Sequence, residues 1–217
     1  RASHIWFMLA DEGMVAVENG LVVIKDSSGS DLNWVGNDVM QILPVGAEII
    51  ACPFVDFGNA KYIVGPDMAL TITDTPGQID VPFKRVTLRA RDENNTDISN
   101  TRCVIGQALG YYEPSFIPGK EITLPVGTNI YPMVRMPLSS PYITGKGAAV
   151  TIESTTSEII CPLRKITVNV IDPSGNPVPE AIVTMANQWY LLGIWANGTP
   201  RAFPVGASIT VMARLEG

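Results

Sequence analysis

One histidine, His4, and three cysteines, Cys52, Cys103 and Cys161, supply all the imidazole and thiol in 217 residues. A Ser-His-Asp or Cys-His nucleophile would have to use His4, which sits beside the apolar run Ile5-Trp6-Phe7-Met8-Leu9-Ala10. Zinc needs several grouped Cys or His ligands, and none is grouped. Cys52 and Cys161 each follow isoleucines and precede a proline, so they read as small buried hydrophobes. One disulfide is compatible with a secreted chain. The oxygen-rich stretch is Asp92, Asn94, Thr96 and Asp97. Calcium takes such groups, about 6–8 of them, so this loop offers part of a calcium shell or an ordinary turn; no other cofactor is implied. Asn94 and Asn197 head Asn-x-Thr sequons, the acceptor pattern for N-glycosylation.

The aromatic residues are the other chemical feature. Tyr111, Tyr112 and Phe116 form one cluster and Trp189, Tyr190 and Trp195 a second, with Trp6 in the N-terminal apolar run. A small sandwich cannot bury them all. They are expected to cap sandwich ends, to pack between repeats, or to serve as a protein interface or a sugar-stacking platform, since aromatics are enriched at interfaces.

Composition bounds what must position these groups. Hydrophobic residues are 46% and charged residues 17%, so a core is available, while Gly 19 and Pro 17 supply many turns. The net charge of −6 excludes the clustered Lys and Arg of a nucleic-acid footprint. No apolar run approaches the ~20 residues of a membrane span. Arg1 stands where an initiator methionine would, which implies a processed or excised N-terminus. The run Ile5–Ala10 is followed by Asp11 and Glu12 and reads as a buried strand rather than a signal peptide.

The chain repeats itself. Leu43-Pro44-Val45-Gly46, Leu124-Pro125-Val126-Gly127 and Phe203-Pro204-Val205-Gly206 place their prolines 81 and 79 residues apart. Phe83-Lys84-Arg85-Val86-Thr87-Leu88 lies 80 residues before Leu163-Arg164-Lys165-Ile166-Thr167-Val168, and Tyr62-Ile63-Val64-Gly65 lies 80 before Tyr142-Ile143-Thr144-Gly145. Fixed periods of this kind mark repeat architectures. Period-2 alternation in Val86–Arg91 and Ile166–Ile171 indicates strands. Asp172-Pro173-Ser174-Gly175 is a turn, with Asp26-Ser27-Ser28-Gly29 and Asp92-Glu93-Asn94-Asn95 in the same place. The expected fold is all-β: three tandem antiparallel β-sandwiches of about 80 residues, with the third incomplete. Expected boundaries are an N-terminal remnant at 1–17, then repeats at 18–85, 86–165 and 166–217. Counted from Asp26, Asp92 and Asp172, the second and third repeats carry an insertion before Pro125 and Pro204 that the first lacks.

Val168-x-Val170-x-Asp172-Pro-Ser-Gly175-Asn176-Pro177-Val178-x-x-Ala181-x-Val183 resembles the opening of carboxypeptidase regulatory-like domains, which are transthyretin-like sandwiches related to CnaB-type surface modules. Pro204-Val205-Gly206-x-x-Ile209-x-Val211 is similar to their last strand. Glu180 departs from the glycine usual there. The resemblance implies a non-catalytic module of secreted proteins, such as a spacer, stalk, adhesin or carbohydrate binder. CnaB-type modules often carry a Lys–Asn isopeptide bond, and Lys25 occupies such a position in the first strand, whereas Arg91 and Ile171 replace it in the other repeats.

The function expected from this reading is a structural or adhesive extracellular protein at the cell surface. It would self-assemble with further copies, or bind other surface proteins, into a filament or layer by β-strand addition, with His4–Val17 as a candidate donor. The alternative is a carbohydrate-binding region, with glycans as ligands.

Overall fold

The computed structural model describes residues 1–107, 113–136, 143–187 and 191–215. Every regular element in it is a strand, and the strands build three sandwiches in tandem. The first holds β1 (Ala2–Ala10), β2 (Gly20–Asp26), β3 (Asp31–Gly36), β4 (Met40–Pro44), β5 (Glu48–Asp56), β6 (Tyr62–Val64), β7 (Met68–Thr71) and the leading half of β8 (Gly77–Arg91). The second takes the trailing half of β8, then β9 (Arg102–Gly106), β10 (Ser115–Phe116), β11 (Glu121–Pro125), β12 (Asn129–Met136), β13 (Ile143–Lys146), β14 (Val150–Thr151) and the leading half of β15 (Glu158–Ile166). The third has the end of β15, then β16 (Ala181–Ala186), β17 (Leu191–Ala196), β18 (Arg201–Pro204) and β19 (Thr210–Leu215).

Each sandwich closes one sheet over another. In the first, β3-β2-β5 with β6 and β7 faces a sheet in which β1 pairs antiparallel with β4 and parallel with β8. In the second, β10-β9-β12 with β13 and β14 faces β11, β8 and β15, again with a parallel pair, β8 with β15. These parallel pairings depart from the all-antiparallel expectation. They arise because one strand ends a sandwich and begins the next without a turn.

That sharing is visible in the side-chain pattern. Along β8, Val81 and Phe83 face the first core, while Val86, Leu88 and Ala90 face the second. The alternation slips by one residue at Lys84-Arg85, and a one-residue slip sends every following side chain to the other face. β15 does the same. Ile159, Cys161 and Leu163 lie in the second core, Arg164-Lys165 marks the slip, and Ile166, Val168 and Val170 turn to the third.

The turn after each first strand fixes the true alignment of the repeats. Asp92 Oδ1 accepts the N–H groups of Asn94 and Thr96 at 3.0 and 2.9 Å, and Asp172 Oδ1 those of Ser174 and Asn176 at 2.8 and 2.9 Å. Asp11 Oδ1 accepts those of Gly13 and Val15, both at 3.0 Å. Asp11, not Asp26, is therefore the counterpart of Asp92 and Asp172; Asp26 makes a fourth such turn inside the β2–β3 hairpin. Two expectations change. Residues 1–17 are not a remnant or a free donor strand, because Ile5, Phe7, Leu9 and Val17 are buried in the first core. The apparent insertion also vanishes: Asp11 precedes Pro44 by 33 residues, as Asp92 precedes Pro125 by 33 and Asp172 precedes Pro204 by 32.

Candidate functional site

The two junctions between sandwiches are built alike. At the first, Asp11 pairs with Arg85 at 2.6 Å and Glu12 with Lys84 at 3.0 Å. At the second, Asp92 pairs with Lys165 at 2.6 Å, and Glu93 accepts the Lys165 N–H at 2.9 Å. The turn acid that closes one first strand thus grips the basic pair where the next shared strand slips. The Lys165 ammonium, the turn N–H of Thr96 and that of Asn94 hold the Asp92 carboxyl down at about 2. Burial pushes Asp11 upward, but the N–H groups of Val15 and Gly13 together with Arg85 outweigh it and leave its carboxyl below the usual range.

A second contact repeats at each junction. The Pro-Val-Gly turns need positive φ at their glycines, and Gly46, Gly127 and Gly206 have φ of 84, 84 and 81°. Against these turns pack Gly65 and Gly145, from equivalent strand ends of the preceding sandwich. A Cβ on Gly65 would lie 2.6 Å from Pro125 Cβ, and one on Gly145 would collide with the Val205 carbonyl oxygen.

The third sandwich is where the pattern stops. In the first, Ile5–Ala10 runs parallel to Gly77–Pro82; in the second, Thr87–Arg91 runs parallel to Glu158–Pro162. The equivalent segment, Thr167–Ile171, has no strand beside it among the described residues, and β15 pairs there only as far as Ile166, with β18. β5 and β12 each carry further strands on their outer edge, β6 with β7 and β13 with β14, whereas β19 pairs with β16 alone among the described residues.

The core shows the consequence. Val211 and Leu215 lie opposite the buried Met185 and Ala181 on the inward face of the sheet. Yet Val211 is 42% and Leu215 65% exposed, whereas their first-sandwich counterparts Ala51 and Val55 are 0% and 3% exposed. Covering such side chains contributes about 1.5–3 kcal/mol each when burial is complete. The site is therefore an apolar trough edged by open backbone, able to receive an extended segment as a strand.

The residues singled out in the sequence fall elsewhere. Tyr111, Tyr112, Trp189 and Tyr190 lie outside the described residues. Phe116 packs edge-on against Phe57 at 5.2 Å, between the first two cores. Trp195 is half-buried against Phe203 at 6.2 Å, with the Arg201 guanidinium over its ring. Trp6 is half-buried beside Met40 and Gln78 on the outer side of β1. The structure does not gather these aromatics into one platform.

Asn94 is exposed, whereas Asn197 Nδ2 donates to the carbonyls of Val170 and Val178 at 2.8 and 2.9 Å, so a glycan there would displace a structural hydrogen bond. The calcium expectation for the 92–97 loop meets competing cations: Asp92 faces Lys165, and Asp97 faces Arg89 and Arg91 at 3.2 and 2.8 Å. Among the described residues no group of three or more acidic, His or Cys side chains is placed to hold a metal. Lys25 lies 3.8 Å from the Asp67 carboxylate. Cys52, Cys103 and Cys161 are buried and free. Burial, with Asp67 nearby, pushes the Cys52 thiol up to about 11, and the neighbouring Cys103 thiol and burial raise Cys161 further still. Among the described residues no helix is long and apolar enough to cross a membrane. Sequence reading missed Asp11, Lys84-Arg85 and Arg164-Lys165, although the slipped alternation around each basic pair was there to find.

No family model and no curated protein matches the chain. Among solved structures it is similar to the TIE protein of Bacillus anthracis, at 12% identity over 98% of this chain and 43% of that one, with a TM-score of 0.26. A candidate adhesin from Bacteroides ovatus is 9% identical over 88% and 94% of the two chains, with a TM-score of 0.34. A streptococcal ancillary pilin is 12% identical over 98% and 90%, with a TM-score of 0.30. The chain spans less than half of the Bacillus anthracis protein. Scores this low carry no inference about what this chain binds or builds. The fold and site define an array of β-sandwiches joined by shared strands, with one sandwich left open.

Proposed function

We propose that this chain is a non-enzymatic structural and adhesive element of a cell-surface or extracellular assembly, in which an added strand completes the third sandwich. The observation that carries this reading is the open strand position beside Thr167–Ile171, which is occupied in both other sandwiches. The junctions support a load-transmitting role. Each couples two sandwiches through a continuous strand, an ion-paired turn and a glycine contact, so the array extends without a flexible linker. Strand addition from one molecule to the next is a head-to-tail contact, and one that does not close gives a filament. An edge left bare invites disordered aggregation, which favours a dedicated partner.

Light scattering across a concentration series, with electron microscopy of native material, tests the proposal. Linear oligomers or fibres, alone or with a second surface protein, are expected. A monomer under all these conditions overturns it.

A further inference from the structure

We infer that the third sandwich accepts, in trans and in parallel orientation, the leading half of a shared strand from another sandwich protein of the same design, with the signature apolar-x-apolar-Pro-apolar-basic-basic. The inference rests on the strand-acceptor reading above and adds the chemistry, direction and register of the partner.

The specification comes from the two filled positions. The occupant of the first is Ile79-Asp80-Val81-Pro82-Phe83-Lys84-Arg85, and that of the second is Ile159-Ile160-Cys161-Pro162-Leu163-Arg164-Lys165. Ile79 lies opposite Phe7 and Val81 opposite Leu9; Ile159 lies opposite Leu88 and Cys161 opposite Ala90. The equivalents of those receiving residues are Val168 and Val170, which are only half-buried in the third sandwich, whereas Phe7, Leu9, Leu88 and Ala90 are fully covered. Pro82 lies opposite Ala10 and Pro162 opposite Arg91, so the partner's proline belongs opposite Ile171. Backbone polarity agrees. The Thr87 N–H donates to the Ser157 carbonyl at the foot of the incoming strand at 2.9 Å, and its counterpart Thr167 lies on the open edge.

Charge supplies an independent reading of the same register. Asp11 and Asp92 each grip the basic pair that follows the incoming proline. Asp172 holds the identical turn, yet its Oδ2 meets the Asn176 amide at 3.2 Å and no cation among the described residues. A carboxylate set beside a trough that lacks its strand suits a strand that arrives with lysine or arginine just beyond its proline. Both known occupants run on directly as the first strand of a further sandwich, so the donor segment leads into a module rather than ending as a loose tail.

The test uses the full chain and a synthetic peptide of residues 76–87, which contains Ile79-Asp80-Val81-Pro82-Phe83-Lys84-Arg85. Hydrogen exchange at Thr167–Ile171 is expected to slow about tenfold or more on peptide addition, as an edge amide becomes a paired one. A peptide with Ile79 and Asp80 exchanged should fail. A spin label at the peptide N-terminus should broaden signals near Ile166, not near Ile171. Asp172→Asn keeps the Oδ1 acceptor its turn needs and should weaken capture several-fold at low salt, with the difference shrinking as salt screens it. A chain extended after Gly217 by a copy of residues 58–82 supplies the same strand in cis.

Protection by the peptide in the stated direction supports the inference. It does so even if the chain stays monomeric alone and with surface partners, a result that would overturn only the filament reading. Protection in the extended chain but none by the peptide overturns the source in trans. Broadening near Ile171, equal capture of the exchanged peptide, or no protection in either arm overturns the inference itself.

Discussion

The second and third sandwiches begin from nearly the same strand and end differently. Leu163-Arg164-Lys165-Ile166-Thr167-Val168 matches Phe83-Lys84-Arg85-Val86-Thr87-Leu88 residue for residue in character. Leu88 is fully buried, while Val168 remains half-exposed. The local sequence sets both as strands with one apolar face; burial depends on whether a parallel neighbour arrives to close the sheet. The difference locates the functional edge without any catalytic residue, because the only chemistry involved is backbone pairing and apolar cover.

Thiol kinetics should separate the two regions most widely. Cys103 and Cys161 lie inside the second core, so an aromatic disulfide reagent at pH 8 should reach them only through opening of that sandwich. A cysteine placed by Val211→Cys should react roughly a thousandfold faster or more. Comparable rates would break the contrast. Cys52, with its thiol raised to about 11, should join the slow class.

Matched core truncations come next. Ile130 is fully buried and Ile209 is its counterpart in the third sandwich. Ile130→Ala should cost about 2–5 kcal/mol and Ile209→Ala well under half of that, read by hydrogen exchange in each sandwich under urea. Equal losses would mean the third core is as closed as the second.

Gly145→Ala should cost about 1–3 kcal/mol through forced displacement of the Val205 backbone. It should also raise tryptic cleavage of the third sandwich while sparing the first. Gly77, whose nearest neighbour to an added Cβ is 4.0 Å away, is the control, and parity between the two would remove the glycine contact from the junction.

The ion-paired turn gives a pH test. Asp92 titrates at about 2 in the folded chain against 3.8 for the free carboxyl. The folded value is lower, so its stabilisation is present above about pH 4 and is lost as pH falls towards 2. Urea midpoints from pH 5 to 2.5 should fall more steeply for the native chain than for Asp92→Asn, which keeps the turn acceptor and lacks the charge. Parallel curves would show that the pair with Lys165 adds nothing.

The smallest effect concerns Met14, held at φ 58° where Asn95 and Gly175 serve the matching turns. Left-handed backbone costs a non-glycine residue about 1 kcal/mol or more, and asparagine tolerates it better. Met14→Asn should therefore stabilise the first sandwich by about 0.5 kcal/mol in thermal unfolding. No gain would mean the turn is not strained.

Much of this architecture could be read before any fold was known. The 80-residue period, the strand alternation, the Pro-Val-Gly turns and the absence of a closing segment in the third repeat all follow from local pattern, since period-2 burial and positive-φ glycines leave marks on composition. The first repeat was misaligned for an equally local reason. Its turn glycine, Gly13, stands one residue before the positive-φ position, which Met14 occupies, so Asp26-Ser-Ser-Gly29 looked the better match. Only the tertiary structure showed that β1 belongs to its own sandwich, because pairing between residues some seventy positions apart leaves no local mark. The same holds for the basic pairs. Lys84-Arg85 and Arg164-Lys165 read as solvated charge until the strand is seen to change cores there. Sequence alone determined that a quarter of the last repeat is missing. The fold decided which backbone edge and which apolar side chains that leaves open, because only three-dimensional closure tells a bare strand edge from a paired one.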